Sequence, residues 1–209
     1  MTPFRYFVRA AVTMAACLAM AGCISVLPKS KPSQLYRFGA ADPAADAARA
    51  PGGPSIAKGP VTFDSSAATD RILTVTGDDI AYIAGARWVS PAPVLFDEAL
   101  IRAFQAVPGA PRLIERAGAG RAPLVLTLDV QAFETRYDQG ADAAPQVTIR
   151  IHAVLVRTED RTVAADKLFA VTKRVSDNRV GPIVSGYDEA VAEVLSQIVT
   201  WASAVPQAA

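Results

Sequence analysis

The most regular hydrophobic pattern lies in the second half of the chain. Leu124, Leu126, Leu128, Val130 and Ala132 alternate with Val125, Thr127, Asp129 and Gln131, the period-two signature of a strand covered on one side. Phe133 breaks the phase, which predicts a bulge there. Beyond turn-forming residues near Gly140, the alternation returns at Val147, Ile149, Ile151, Ala153 and Leu155. Glu159-Asp160-Arg161 makes a turn, and Lys167 to Val175 reads as a third long strand. These three predict an antiparallel meander. Upstream, Arg71 to Thr76 and Ile80 to Ala84 flank Gly77-Asp78-Asp79, a hairpin by its turn chemistry, with Gly85 permitting a bend after it. Shorter strands are expected at Gln34 to Phe38, Val61 to Phe63 and Arg112 to Glu115.

Two stretches switch to helical spacing. Phe96, Ala99, Leu100, Ala103, Phe104 and Val107 share one face of a helix from about Pro91 to Ala106. Ser90 reads as its N-cap, Pro91 as its first residue, and Pro108-Gly109 as its end. Near the C-terminus, Tyr187, Val191, Val194, Leu195, Ile198 and Ala202 form an apolar stripe ending near Ala204. Ser185-x-x-Asp188 resembles a capping box at its start, with Asp in place of Glu. The predicted fold is α/β: a mixed, largely antiparallel sheet with two amphipathic helices packed on it, each able to cover a face. The domain spans 34–205. Within it, Ala40 to Pro60 holds eight Ala, four Pro and three Gly; with so little to bury, this insertion reads as a flexible loop.

Charge and composition narrow the chemistry. Lys and Arg number 21 against 20 Asp and Glu, too balanced for nucleic acid as a partner. One His and two Cys fall short of most zinc sites and of most histidine-based acid–base catalysis. His152 lies on the polar face of its strand. As a base it would need a nucleophile such as Ser176 or Ser185 within reach, and neither serine stands in a G-x-S-x-G elbow. Asp78-Asp79 reads as turn chemistry rather than a metal pair. There is no Walker A sequence. Neither a catalytic residue nor a metal is expected, and the chain reads as a non-enzyme.

The first thirty residues carry an address. Arg5 and Arg9 precede thirteen uncharged, mostly apolar residues from Ala10 to Gly22, the layout of a secretory signal peptide over 1–22. The run is shorter than the ~20 apolar residues a bilayer span needs. Met20-Ala21-Gly22-Cys23 resembles the lipobox of bacterial lipoproteins, with Met20 where Leu is usual. The resemblance implies a lipid on the Cys23 thiol, cleavage before it, and a lipidated tether over 23–33. Ile24 stands where Asp would signal inner-membrane retention in enteric-type bacteria, so the outer membrane, facing the periplasm, is the expected location. The covalent lipid on Cys23 is the only cofactor expected.

One further segment stands out. Tyr82, Arg87 and Trp88 sit in Ile80 to Pro91, between hairpin and helix. Arg and Trp are enriched at interface hot spots, so the three are candidate partner contacts. Trp88 equally fits as a plug between sheet and helix, with Arg87 stacked on it or paired to an acid.

Leu35-Tyr36-Arg37 after the lipobox, Asp70-Arg71-Ile72, Ile80-Ala81-Tyr82, Ala86-Arg87-Trp88 and the helix that follows together resemble the ABC-type transport auxiliary lipoproteins, the PqiC-like family, over about Gln34 to Trp201. The resemblance implies an α/β domain accompanying an Mce-type phospholipid transporter: an inner-membrane ATPase and permease with a periplasmic lipid-binding Mce protein that this chain would dock. Homo-oligomers would suit that role. The alternative is a general outer-membrane scaffold lipoprotein supporting a barrel or secretion complex.

Overall fold

A computed structural model describes residues 32–39, 54–115 and 122–206. The signal peptide, Cys23 and most of the tether lie outside the described residues, as does 40–53 of the expected loop.

The meander forms as its periodicity dictates. Strand β6 (Leu124–Arg136) pairs antiparallel with β7 (Gln146–Arg157) from Leu124 opposite Arg157 to Arg136 opposite Gln146. β7 pairs antiparallel with β8 (Val163–Arg174). The β6 register slips between Val130 and Ala132, and this bulge returns Phe133 to the buried side. One face of the meander is core: Leu126, Leu128, Ile149, Ile151, Leu155 and Phe169 are buried.

The other edge of β6 is shared by two strands laid end to end. β2 (Ser55–Phe63) runs parallel to it from Ile56 beside Leu124 to Phe63 beside Val130. β3 (Arg71–Thr76) then takes over, with Thr74 and Val75 beside Thr135 and Arg136. The eight-stranded sheet therefore forks. Beyond β2 lies the short parallel β5 (Arg112–Ile114). Beyond β3 lie its hairpin partner β4 (Asp79–Trp88) and then β1 (Gln34–Tyr36), parallel to β4. The long ladders are antiparallel and the short ones mostly parallel, the mixed sheet expected.

Helices α1 (Ala92–Ala106) and α2 (Val180–Ala204) both pack on the same face, into one hydrophobic cluster, rather than one on each side. The opposite face, carrying Asp129, Arg150, His152, Asp166 and Leu168, is exposed or half-buried.

Four local expectations give way to tertiary contacts. Ser55 to Pro60 belong to β2, not to the loop. Gly59 is accommodated because a Cβ there would stand 2.7 Å from the Leu126 carbonyl oxygen, and the register shift between Lys58 and Val61 absorbs Pro60. β4 does not bend out at Gly85 but runs through it to Trp88; Gly85 adopts φ +70° where the β3–β4 register slips. Ser90 does not cap α1. Pro91 is the N-cap, and the Ala92 amide donates instead to the Thr69 carbonyl at 3.0 Å. Finally, α2 starts at Val180, so Ser185 and Asp188 lie inside it and form no cap. The Asp188 carboxylate accepts from the Gly39 amide at 2.6 Å, holding the chain after β1 against the helix.

α2 comes close to the sheet at Gly186, where an added Cβ would stand 2.7 Å from Val175 Cγ1 and 3.2 Å from Val147 Cγ2. Both valines are stiff at χ1. Gly→Ala in a helix ordinarily gains about 1 kcal/mol. Gly186→Ala should instead destabilise the domain by about 1–3 kcal/mol through overpacking, read as a lower urea midpoint; a raised midpoint contradicts this packing.

The β6–β7 connection is fastened to the end of β8. Arg174 grips Asp138 through two hydrogen bonds of 2.6 Å, and the Asn178 side chain donates to the Ala141 carbonyl at 2.7 Å and accepts from the Tyr137 hydroxyl at 2.8 Å. The Arg174 guanidinium holds the Asp138 carboxyl below the usual aspartate range. A depressed pKa contributes stability above the unfolded value of ~3.9 and loses it as pH falls through the folded value. Asp138→Asn should therefore lower the melting temperature at neutral pH, with the gap to the unaltered protein closing as pH drops below the ordinary aspartate range. A gap that persists at low pH would show that the carboxylate's charge is not what matters.

Candidate functional site

The aromatic residue at the end of β4 is interior. Trp88 is 2 % exposed. Its ring meets Phe38 edge-on at 5.0 Å and Tyr187 at 5.1 Å. Phe133 completes the group at 5.2 Å from Phe38 and 4.9 Å from Tyr187, and Phe63 and Phe96 extend it toward α1. Strands β1, β2, β4 and β6 and both helices thus each send or border a ring in one cluster. Each such pair is worth ~0.5–1.5 kcal/mol beyond area burial. The one hydroxyl inside is satisfied: Thr135 donates to Tyr187 at 3.3 Å. Burial pushes the Tyr187 phenol well above the ordinary tyrosine range, so it stays neutral.

Trp88 is consequently corrected from candidate contact to core plug, because its indole has no face left for a partner. Arg87, one residue earlier on the alternate face, is exposed, and it does not stack on Trp88. It grips Asp70 with two hydrogen bonds of 2.9 and 3.0 Å. The Trp88 amide donates to the Asp70 carbonyl at 2.7 Å, so side chain and backbone together pin the β2–β3 turn to β4. Tyr82 is half-buried. The Arg71 guanidinium lies 3.8 Å above its ring, and its hydroxyl donates to the Ser66 carbonyl at 3.1 Å. Arg87 and Tyr82 therefore reach the surface, each already tied to its own neighbour.

His152 lies on the open face, its Nε2 3.3 Å from Asp166 Oδ2. Neither serine approaches it. Ser185 belongs to α2, on the opposite face of the sheet. Ser176 follows the far end of β8, eight residues from Leu168, which pairs with His152; that is about 26 Å along a strand. Neither serine is therefore within reach of the imidazole. Among the described residues no three His, Cys, Asp or Glu side chains converge as a metal site would require, and Asp78 and Asp79 sit at the exposed hairpin tip.

Two features have no distinct sequence signal. Gly39, at φ +62°, packs 2.7 Å (from its ideal Cβ position) to the Ala99 methyl and accepts from Arg102 through its carbonyl at 2.5 Å. Ile80 at the hairpin stands 61 % exposed; the alternation placed it in a strand without showing that its edge stays open.

A family model described as the ABC-type transport auxiliary lipoprotein component matches residues 36–199. The chain belongs to this family. Its members are lipoproteins that accompany ABC-type transport, so the protein is a lipoprotein-family auxiliary component. No curated protein matches the sequence. Among solved structures, the protein XCC0632 from Xanthomonas campestris, of family DUF330, is similar at 20% identity and TM-score 0.65, over 83% of this chain and 94% of that one. An uncharacterized protein is similar at 14% identity and TM-score 0.60, over 82% and 99%. The hypothetical protein CT253 from Chlamydia trachomatis is similar at 9% identity and TM-score 0.50, over 72% and 98%. At these identities the likeness shows the fold alone.

The placement of Trp88 and Arg87 gives opposite expectations for the two. Trp88→Ala should cost about 3–5 kcal/mol in urea unfolding. Arg87→Ala, which breaks an exposed pair, should cost under about 1 kcal/mol. A near-silent Trp88→Ala would return the indole to the surface.

Proposed function

We propose that this auxiliary lipoprotein is a non-enzymatic part of an Mce-type ABC system that moves phospholipid between inner and outer membranes. It would be lipidated on Cys23, held in the outer membrane facing the periplasm, and would dock the periplasmic Mce protein whose permease and ATPase sit in the inner membrane. The observation that carries this reading is the family match across residues 36–199. The chemistry agrees with it. A phospholipid crossing the periplasm needs shelter, because exposing its chains costs ~0.8 kcal/mol per CH₂. A lipidated subunit fixes one end of such a path, since two or three acyl chains anchor a protein stably. The eleven residues from Cys23 to β1 reach at most about 35–40 Å when extended, which keeps the domain close to its membrane.

Cys23→Ala should abolish radiolabelled palmitate incorporation and move the protein from the membrane to the soluble fraction; retained labelling rejects Cys23 as the acceptor. Affinity purification of the lipidated protein from solubilised envelopes should recover the Mce protein of the same cell. Recovery of a barrel-assembly component with no Mce protein would replace this reading with the scaffold alternative.

A further inference from the structure

The hairpin strand β4 is paired on its outer edge over only part of its length. β1 covers that edge at Ala86, Arg87 and Trp88. From Asp79 to Gly85, no strand of the described residues pairs with it. Natural sheets blunt such an edge with lysine, proline, an inward charge or a bulge. Here Ile80 to Ala86 reads Ile-Ala-Tyr-Ile-Ala-Gly-Ala, with neither charge nor proline, and the register slip at Gly85 falls only beyond Tyr82, leaving Asp79 to Tyr82 regular. Ile80 is 61 % exposed, and Ala81 and Ala84 are exposed as well.

The fold shows elsewhere how such an edge is filled. β2 and β3 lie end to end along one edge of β6, both parallel to it. β1 holds the corresponding C-terminal position on β4, and the N-terminal position is vacant among the described strands. The chain's own approach to β1 is poorly suited to extend it. Tyr36 turns its carbonyl toward β4, accepting from the Val89 amide at 2.8 Å. Pro32, two residues before β1, has no N–H to give to a ladder extended upstream.

We propose that β4 from Asp79 to Gly85 is a docking edge for an extended segment of a second protein, added as a strand in line with β1. Main-chain hydrogen bonds supply the affinity, and side chains on alternate positions supply the selectivity. The electrostatics state what that segment carries. Asp78 and Asp79 are exposed at the hairpin tip, and none of the ion pairs among the described residues uses them. The partner segment therefore has a lysine or arginine at the end beside the tip, followed by uncharged β-formers without proline. The same edge of a second copy meets this requirement badly, since its neighbouring cations are already engaged: Arg87 is held by Asp70 and Arg71 lies over the Tyr82 ring. The proposal stands whether or not the partner is an Mce protein.

The test places a photo-crosslinking amino acid at Ile80 of the full-length lipidated protein in native envelopes and maps the adduct peptide by mass spectrometry. The expected adduct is a segment of another protein with a basic residue at one end of an uncharged run. Its synthetic peptide should bind the purified protein, and should bind at least tenfold more weakly to Ile80→Lys or when its own amides are N-methylated. Asp78→Lys with Asp79→Lys should reverse the preference, favouring the peptide with glutamate at its charged end. An adduct to a second copy of this chain, an adduct to lipid alone, no adduct, or binding indifferent to N-methylation each overturns the proposal.

Discussion

The aromatic cluster around Trp88 is the constraint on which the rest depends. A forked sheet has two arms that do not pair with each other, and pairing along β6 alone would leave them free to splay. The rings of Trp88, Phe38, Phe133, Tyr187, Phe63 and Phe96 draw both arms and both helices to one point. Close-packed interiors resist even small displacements, so this contact sets the angle between the arms. It also explains why both helices lie on one face: the large apolar surfaces are all there, and the opposite face presents Asp129, Arg150, His152 and Asp166.

With the core gathered on one side, the surface features are those left by topology. Asp70 is held by Arg87 and by the Trp88 amide, which fixes the crossing from one arm to the other and carries the Thr69 carbonyl to the first amide of α1. A single turn therefore ends one strand, orients the next and caps a helix. Arg87 and Tyr82 belong to this fastening through their side chains, whereas the outer backbone edge of β4 from Asp79 to Gly85 pairs with no described strand.

Much of this was legible in the chain because period-two patterning is a direct image of one-sided burial. β6 and β7 are of that kind, while the β3–β4 hairpin was legible from its Gly77-Asp78-Asp79 turn and α2 from an apolar stripe at helical spacing. Other features came from partners distant in sequence. Ser55 to Pro60 look unstructured by composition, yet β6 offers them a ladder and needs Gly59 for close approach. Ser90 has the chemistry of a cap, but the Thr69 carbonyl already fills that place. Asp188 has capping-box spacing and is instead used by Gly39. Trp88 could be read as contact or plug, since periodicity reports that a residue is covered but not by what. The family resemblance rests on short motifs clustered around that same turn, and the residues that make them distinctive are largely those that hold the fork together.

Phe38 and Gly39 have a mechanical consequence. β1 contributes only three residues to the sheet, a ladder that would peel readily under tension. Two residues further on, however, Phe38 is fully buried and Gly39 is clasped by Asp188 and Arg102. A pull transmitted from upstream of β1 can strip those three residues, but to go further it must extract a fully buried aromatic ring. The strand acts as a strap and Phe38 as its buckle, so the unravelling stops there and the pull passes to the domain as a whole.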